Sequence, residues 1–186
     1  LEDLKSINYS KIVSYSRYNE PLADKIILTR LEQAKSYLPD ALLHTNTNGD
    51  FLNETYLKEL YESGLRSINI QIYLSKDEVF EDQLIMSKIE HLKNKLNLPY
   101  EQTVNIPNEW YEINFKYKDM SVRSYARNFK VNGCDRGGLL DVADKEYTRT
   151  SPCESTFTSV YIDHNAKVMH CCNLRSDAGE HADYIL

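Results

Sequence analysis

Residues Arg17–Asp24 read RYNEPLAD, and they sit at a joint between two patterns. Upstream, KIVSYS (Lys11–Ser16) alternates apolar and polar residues with a period of two, as a half-buried strand does. Downstream, Leu22, Ile26, Ile27, Leu31 and Ala34 recur at helical spacing up to Tyr37, and Pro39 stops the run. The strand therefore ends on Asn19, Glu20 and Pro21: an amide, a carboxylate and a residue that cannot continue a ladder. Such an end presents polar groups to whatever lies beyond it.

The same alternation repeats outward from this joint. LEDLKSI (Leu1–Ile7) reads as the tail of a helix. ALLHTN (Ala41–Asn46) is a second strand, closed by the turn Asn48-Gly49-Asp50. Asn53 is placed to cap a helix carrying Tyr56, Leu57, Leu60 and Tyr61, with Gly64 as its stop. SINIQIYL (Ser67–Leu74) is a third strand. A long helix then opens at Ser75 or Asp77, runs through Leu84, Ile85, Ile89, Leu92 and Leu96, and ends before Pro99. WYEINFKY (Trp110–Tyr117) and VRSYARNF (Val122–Phe129) are predicted as the fourth and fifth strands.

Strands alternating with helices imply βαβ units, hence an α/β fold with a parallel sheet or a barrel segment. Ligands of such folds gather at the carboxyl ends of the strands. Here those ends are crowded with polar residues. From about Cys134 the alternation stops. FTSVYID and KVMHCC then flank Asp163-His164-Asn165-Ala166, a predicted β-hairpin turn.

Composition narrows the function classes. The 186 residues carry a formal charge of −6, against a general nucleic-acid footprint of clustered Lys and Arg. No apolar run approaches the ~20 residues that span a bilayer, and no secretory signal opens the chain. The expectation is a cytoplasmic protein with no nucleic-acid or membrane partner. In a reducing cytosol, Cys134, Cys153, Cys171 and Cys172 point to metal or redox roles rather than disulfides.

SYSRYNEPL followed by HTNTNGDFLNETYLKELYESGLRSINIQIYL resembles the core of the radical S-adenosylmethionine (radical SAM) enzymes. In that family a strand ends in a Gly-Gly-Glu-Pro-like motif and a later one in Thr-Asn-Gly. Here the motifs read Tyr18-Asn19-Glu20-Pro21 and Thr47-Asn48-Gly49. Cys153, then Ala166 with Lys-Val-Met-His and Cys171, is similar to the opening of the SPASM or twitch extension, as is the ending HADYIL. The family has Gly where Ala166 stands. A left-handed Ala costs ~1 kcal/mol, so Asn165 is expected to take that conformation instead.

The resemblance implies a partial (β/α) barrel over 1–145 and the start of an iron–sulfur extension with a small β-hairpin over 146–186. It implies reductive cleavage of S-adenosylmethionine to a 5′-deoxyadenosyl radical and hydrogen abstraction from a substrate, by default a peptide or peptide-derived molecule, with an external electron donor. The CxxxCxxC that holds the family's catalytic [4Fe–4S] cluster is not among these residues and is expected one helix upstream of Lys11, ahead of Leu1.

The resemblance assigns the cofactor's amino group to Asn19, Glu20 and Pro21. A carboxylate at the N-terminus of a helix is the structural alternative for Glu20. Asn48 is a second candidate, or simply a turn former. Gln71 and Tyr73 alternate with Ile70 and Ile72, so both face away from the isoleucines, where a barrel interior suits a ribose or carboxylate and a half-exposed strand is the plain alternative. One of Arg123, Arg127 and Arg136 is expected to fork onto a carboxylate, with Arg127 the choice for the cofactor. Cys153 with Cys171 or Cys172 is the expected auxiliary cluster set, ahead of unliganded thiols and of zinc completed by His164, His170 or His181. The competing classes are a non-catalytic α/β module binding a small molecule or peptide, and a zinc-binding interaction domain.

Overall fold

The computed structural model describes residues 1–75, 77–133, 137–140 and 150–185. They form two compact units, Leu1–Arg127 and Asn128–Leu186. Arg136 and Cys134 lie outside the described residues.

The first unit is one six-stranded sheet covered by helices on one face. After a short helix α1 (Glu2–Ser6), β1 (Ile12–Tyr15) leads through a 3-10 turn, Pro21–Ala23, into α2 (Ile26–Tyr37). Then follow β2 (Leu42–Thr47), α3 (Glu54–Glu62), β3 (Ser67–Ile72) and α4 (Asp82–Leu96). The expected helix from Leu22 thus starts four residues later, because Glu20 and Pro21 impose a tight turn first. The long helix opens at Asp82 rather than at Ser75 or Asp77 and closes on Asn97, left-handed at φ 50°. Asn53 caps α3 as expected, its side chain accepting from the Tyr56 N–H at 2.8 Å.

The remaining strands depart from the βαβ pattern. β4 (Tyr100–Ile106), β5 (Trp110–Tyr117) and β6 (Met120–Arg127) form an antiparallel meander. Asn108 at φ 58° and Lys118 at φ 50° turn its corners. The sheet order is β1-β2-β3-β6-β5-β4, so β6 lies parallel to β3 and the meander extends the sheet outward. The fold is therefore α/β with a mixed sheet, parallel over β1, β2, β3 and β6, whose edges are β1 and β4. YEQTVNI was not legible as a strand because nearly all of it is exposed, as an edge strand can be.

Register explains why one face is a core and the other is not. Leu43, Ile68, Ile70, Val122, Ala126, Ile113 and Phe115 share one face and are buried. Ile27, Leu31 and Ala34 of α2, Tyr56, Leu57 and Leu60 of α3, and Ile85, Ile89 and Leu92 of α4 pack on it in one apolar cluster. The opposite face carries His44, Asn46, Ser67, Asn69, Gln71, Arg123, Tyr125, Trp110, Glu112 and Asn114 at its centre, with the aliphatic residues Ile12, Leu42, Val104 and Ile106 toward its two ends.

In the second unit, α5 (Phe129–Asn132) and α6 (Ser155–Thr158) precede a hairpin of β7 (Tyr161–Ile162) and β8 (Val168–Met169). The turn is where the sequence placed it, but Ala166, not Asn165, takes the left-handed conformation, at φ 58°. The Asp163 carboxylate accepts from the Asn165 and Lys167 N–H groups and thereby dictates the turn path, which outweighs the modest cost at Ala166. A 3-10 helix, Gly179–Tyr184, spans most of HADYIL, and Ile185 bridges back to Met169. Among the described residues no helix is long and apolar enough to cross a membrane.

Candidate binding site at the strand ends

Glu20 joins the two motifs picked out in the sequence. One carboxylate oxygen accepts from the Thr47 hydroxyl at 2.6 Å and from the Leu22 N–H at 3.0 Å. The other accepts from the Asn48 N–H at 2.8 Å. The Thr47 hydroxyl, itself buried, also accepts from the Gly49 N–H at 3.0 Å. The carboxylate thus caps the 3-10 turn after β1 and holds the loop after β2 in register with it. Both roles weighed for Glu20 concern an anion at a chain end, and the geometry adds a third, the bracket between two strand ends.

Asn48 folds onto its own loop: its Nδ2 donates to Asp50 at 2.9 Å and its Oδ1 accepts from the Asp50 N–H at 2.9 Å. Gly49 sits at φ 81°, and a Cβ there would come within 2.8 Å of the Ile70 side chain. Lys95 of α4 donates to the carbonyls of Gly49 and Asp50, which anchors the loop to the helix. Asn19 is exposed and Pro21 buried. Beside this loop lies a groove of about 830 Å³, bordered by Asn48, Tyr73, Ser75, Lys88, His91 and Lys95. That volume is within the range of small-molecule sites.

The polar sheet face continues from these ends as hydrogen-bonded rows. His44 contacts the Ser67 hydroxyl through Nδ1 at 2.9 Å, and Asn69 Nδ2 donates to Asn46 Oδ1 at 3.0 Å. Partial burial pushes the His44 pKa below its ordinary value, against the pull of its hydrogen bonds. Gln71 is buried, and its Oε1 accepts from the hydroxyls of Tyr73 at 3.1 Å and Tyr125 at 3.0 Å. Its Nε2 donor is buried with no partner among the described residues.

Arg123 donates to Glu112 at 2.6 Å, and the same carboxylate accepts from Trp110 Nε1 at 3.3 Å and the Thr103 hydroxyl at 3.1 Å. The Arg123 bond, more than any other influence, holds Glu112 below the usual carboxylate range. Tyr125 stacks on Trp110 with centroids 5.5 Å apart and planes 6° from parallel, while the Arg123 guanidinium lies 4.6 Å from its ring. Arg127 follows on the same face, opposite Trp110. Glu112 and Trp110 were missed at the sequence level. Their signal was the alternation in WYEINFKY, where every second residue is polar or amphipathic.

In the second unit, Cys153, Cys171 and Cys172 are not in disulfides, and the Cys171 sulfur accepts from the Asn173 N–H at 3.4 Å. Among the described residues no three His, Cys, Asp or Glu side chains come together as a metal site. His181 is buried, with Nδ1 accepting from the Arg175 N–H at 3.0 Å and Nε2 2.9 Å from the Gly137 carbonyl. Both ring nitrogens are engaged, which leaves neither for zinc.

No family model and no curated protein matches the chain. A solved structure does: BtrN in complex with AdoMet and 2-DOIA, at 20% identity and a TM-score of 0.64, over 92% of this chain. The match spans 57% of the BtrN chain. A structure of selenomethionine BtrN in an open conformation aligns at 32% identity over 41% of this chain and 36% of its own, with a TM-score of 0.39. The first likeness establishes a shared fold.

Proposed function

We propose that this chain is the core of a radical S-adenosylmethionine oxidoreductase, built as a partial barrel with a cysteine-bearing extension. The observation that carries this reading is the Glu20 bracket. It brings Asn19-Glu20-Pro21 and Thr47-Asn48-Gly49 together at adjacent parallel strand ends, the place where such folds receive ligands. BtrN, whose fold is similar, is crystallised with AdoMet.

The residues present fit that cofactor. Gln71 offers a buried amide donor that lacks a partner among the described residues, and the groove beside Asn48 has the volume of a small-molecule site. When bound, S-adenosylmethionine supplies a 5′-deoxyadenosyl radical on one-electron reduction, which abstracts hydrogen from substrate. Glu20 fixes the spacing of the two strand ends, Lys95 and Gly49 fix the loop, and the polar face orients the ligands below them. The reading requires a CxxxCxxC segment to hold the catalytic cluster. Cys153 with Cys171 or Cys172 would contribute thiolates to an auxiliary cluster; among the described residues they are not gathered with a third ligand.

Full-length protein reconstituted anaerobically with iron and sulfide is expected to bind about four iron atoms per catalytic cluster and one S-adenosylmethionine. Glu20→Ala should weaken S-adenosylmethionine binding. Protein that folds but takes up neither iron nor S-adenosylmethionine overturns the proposal.

A further inference from the structure

The geometry points to Ser67 as a nucleophile, activated by His44 and positioned through Asn46, that hydrolyses neutral esters of short-chain carboxylic acids. This activity goes beyond the oxidoreductase reading above and does not rest on it.

Asn69 Nδ2 donates to Asn46 Oδ1 at 3.0 Å, which identifies that oxygen as the acceptor end of the Asn46 amide. The same oxygen lies 3.2 Å from His44 Nε2, so Nε2 carries the ring hydrogen and donates it. Nδ1 is therefore the nitrogen with the lone pair, and it accepts the Ser67 hydroxyl hydrogen at 2.9 Å. Nucleophile, base and orienting group thus stand in the serial contact that acyl-transfer enzymes use, here with the two imidazole nitrogens in exchanged roles. Partial burial lowers the His44 pKa against the pull of its hydrogen bonds, so the ring is a free base at neutral pH.

Strand pairing sets the surroundings. Ser14, His44, Ser67 and Ser121 form one row across the polar face. Small hydroxyl side chains flank the pair on both sides, which leaves room for a short acyl chain and offers no apolar wall to a long one. Asn46 is exposed, and His44 and Ser67 are half-buried, so an ester reaches the row from solvent. Ser67 opens β3, and Gln71 lies further along the same strand, about 13 Å away at ~3.3 Å per residue. The row is thereby separate from the strand ends assigned to the cofactor.

In the reaction Ser67 Oγ bonds to the carbonyl carbon of the ester while its proton passes to His44 Nδ1. Asn69 Nδ2 spends one hydrogen on Asn46 and has a second to offer the oxyanion. The C–O bond to the alcohol then breaks, and the departing oxygen takes the proton from His44. Water attacks the resulting acyl-serine and gives a proton to His44. The carboxylic acid leaves as that proton returns to Ser67 Oγ. No electron is gained or lost.

The test treats the full chain with a fluorophosphonate probe, maps the adduct by peptide mass spectrometry and follows hydrolysis of p-nitrophenyl acetate in parallel. A single adduct on Ser67 is expected, with ester turnover that the probe abolishes. Ser67→Ala should remove both. His44→Gln should slow labelling about a hundredfold, the size of a general-base contribution. Asn46→Ala should slow it by about tenfold or more. Asn46→Asp, which keeps an acceptor for Nε2–H, should restore the rate, a pattern that a merely structural asparagine would not give. p-Nitrophenyl laurate should turn over far more slowly than the acetate. Thermal melts show whether each variant is folded, and where one is not, the adduct mapped on the unaltered chain decides alone. No adduct, an adduct only elsewhere, or unchanged labelling in folded His44→Gln overturns the proposal. Either result leaves the oxidoreductase reading untouched, because neither readout needs iron or S-adenosylmethionine.

Discussion

Replacing Glu20 separates a side chain that brackets two strand ends from one that merely occupies a surface turn. Its carboxylate accepts three hydrogen bonds, from Thr47 Oγ1, the Leu22 N–H and the Asn48 N–H. A hydrogen bond to a charged group contributes about 1.5–3 kcal/mol, but the three do not add, because two share one oxygen and water can reach a half-buried site. Glu20→Ala should therefore cost about 3 kcal/mol. Glu20→Gln keeps one oxygen for Thr47 and Leu22 and turns an amide donor toward the Asn48 N–H, so its cost should be about 1–2 kcal/mol. Glu20→Asp, one methylene shorter, cannot span both strand ends and should resemble the alanine variant. Urea unfolding followed by circular dichroism measures this. With a slope of about 2 kcal/mol/M, Glu20→Ala moves the midpoint down by about 1.5 M. Amide exchange at Asn48 should rise in all three variants. A loss below about 1 kcal/mol in Glu20→Ala, or an unchanged exchange rate at Asn48, refutes the bracket.

Gly49→Ala places a Cβ 2.8 Å from Ile70 at a φ of 81° and should cost about 2–3 kcal/mol in the same assay. Ala166→Gly should raise stability by about 1 kcal/mol, because Ala166 sits at φ 58°; a differential melt of the two proteins reads it. Glu112 is held below its ordinary 4.5 chiefly by the Arg123 hydrogen bond, so its stabilisation is full above that value and is lost as pH falls through the depressed folded value. Arg123→Met should flatten that acid dependence and cost about 2–3 kcal/mol at neutral pH by stranding a mostly buried carboxylate.

What the sequence disclosed followed from periodicity and turn chemistry. β1, β2 and β3 with their helices could be placed because their apolar residues repeat at two or at three to four positions. Asn53 and Gly64 mark helix ends by backbone needs that side chains elsewhere cannot hide. β4 was missed because an edge strand needs no apolar alternation. The direction of β5 and β6 was missed because Asn108 and Lys118 make left-handed turns without glycine. In the site, the two strand-end motifs could be found one by one. Their union through Glu20 could not, since 27 and 28 residues separate it from Thr47 and Asn48. The face carrying Gln71 and Tyr73 was read from alternation alone, whereas its unpaired amide depends on Tyr125, 54 residues away.

The most direct test is production of 5′-deoxyadenosine. Full-length protein, anaerobically loaded with iron and sulfide and given dithionite and S-adenosylmethionine, is predicted to release 5′-deoxyadenosine, with the yield falling sharply in Glu20→Ala. Cluster-loaded, folded protein that binds S-adenosylmethionine yet releases no 5′-deoxyadenosine contradicts the account.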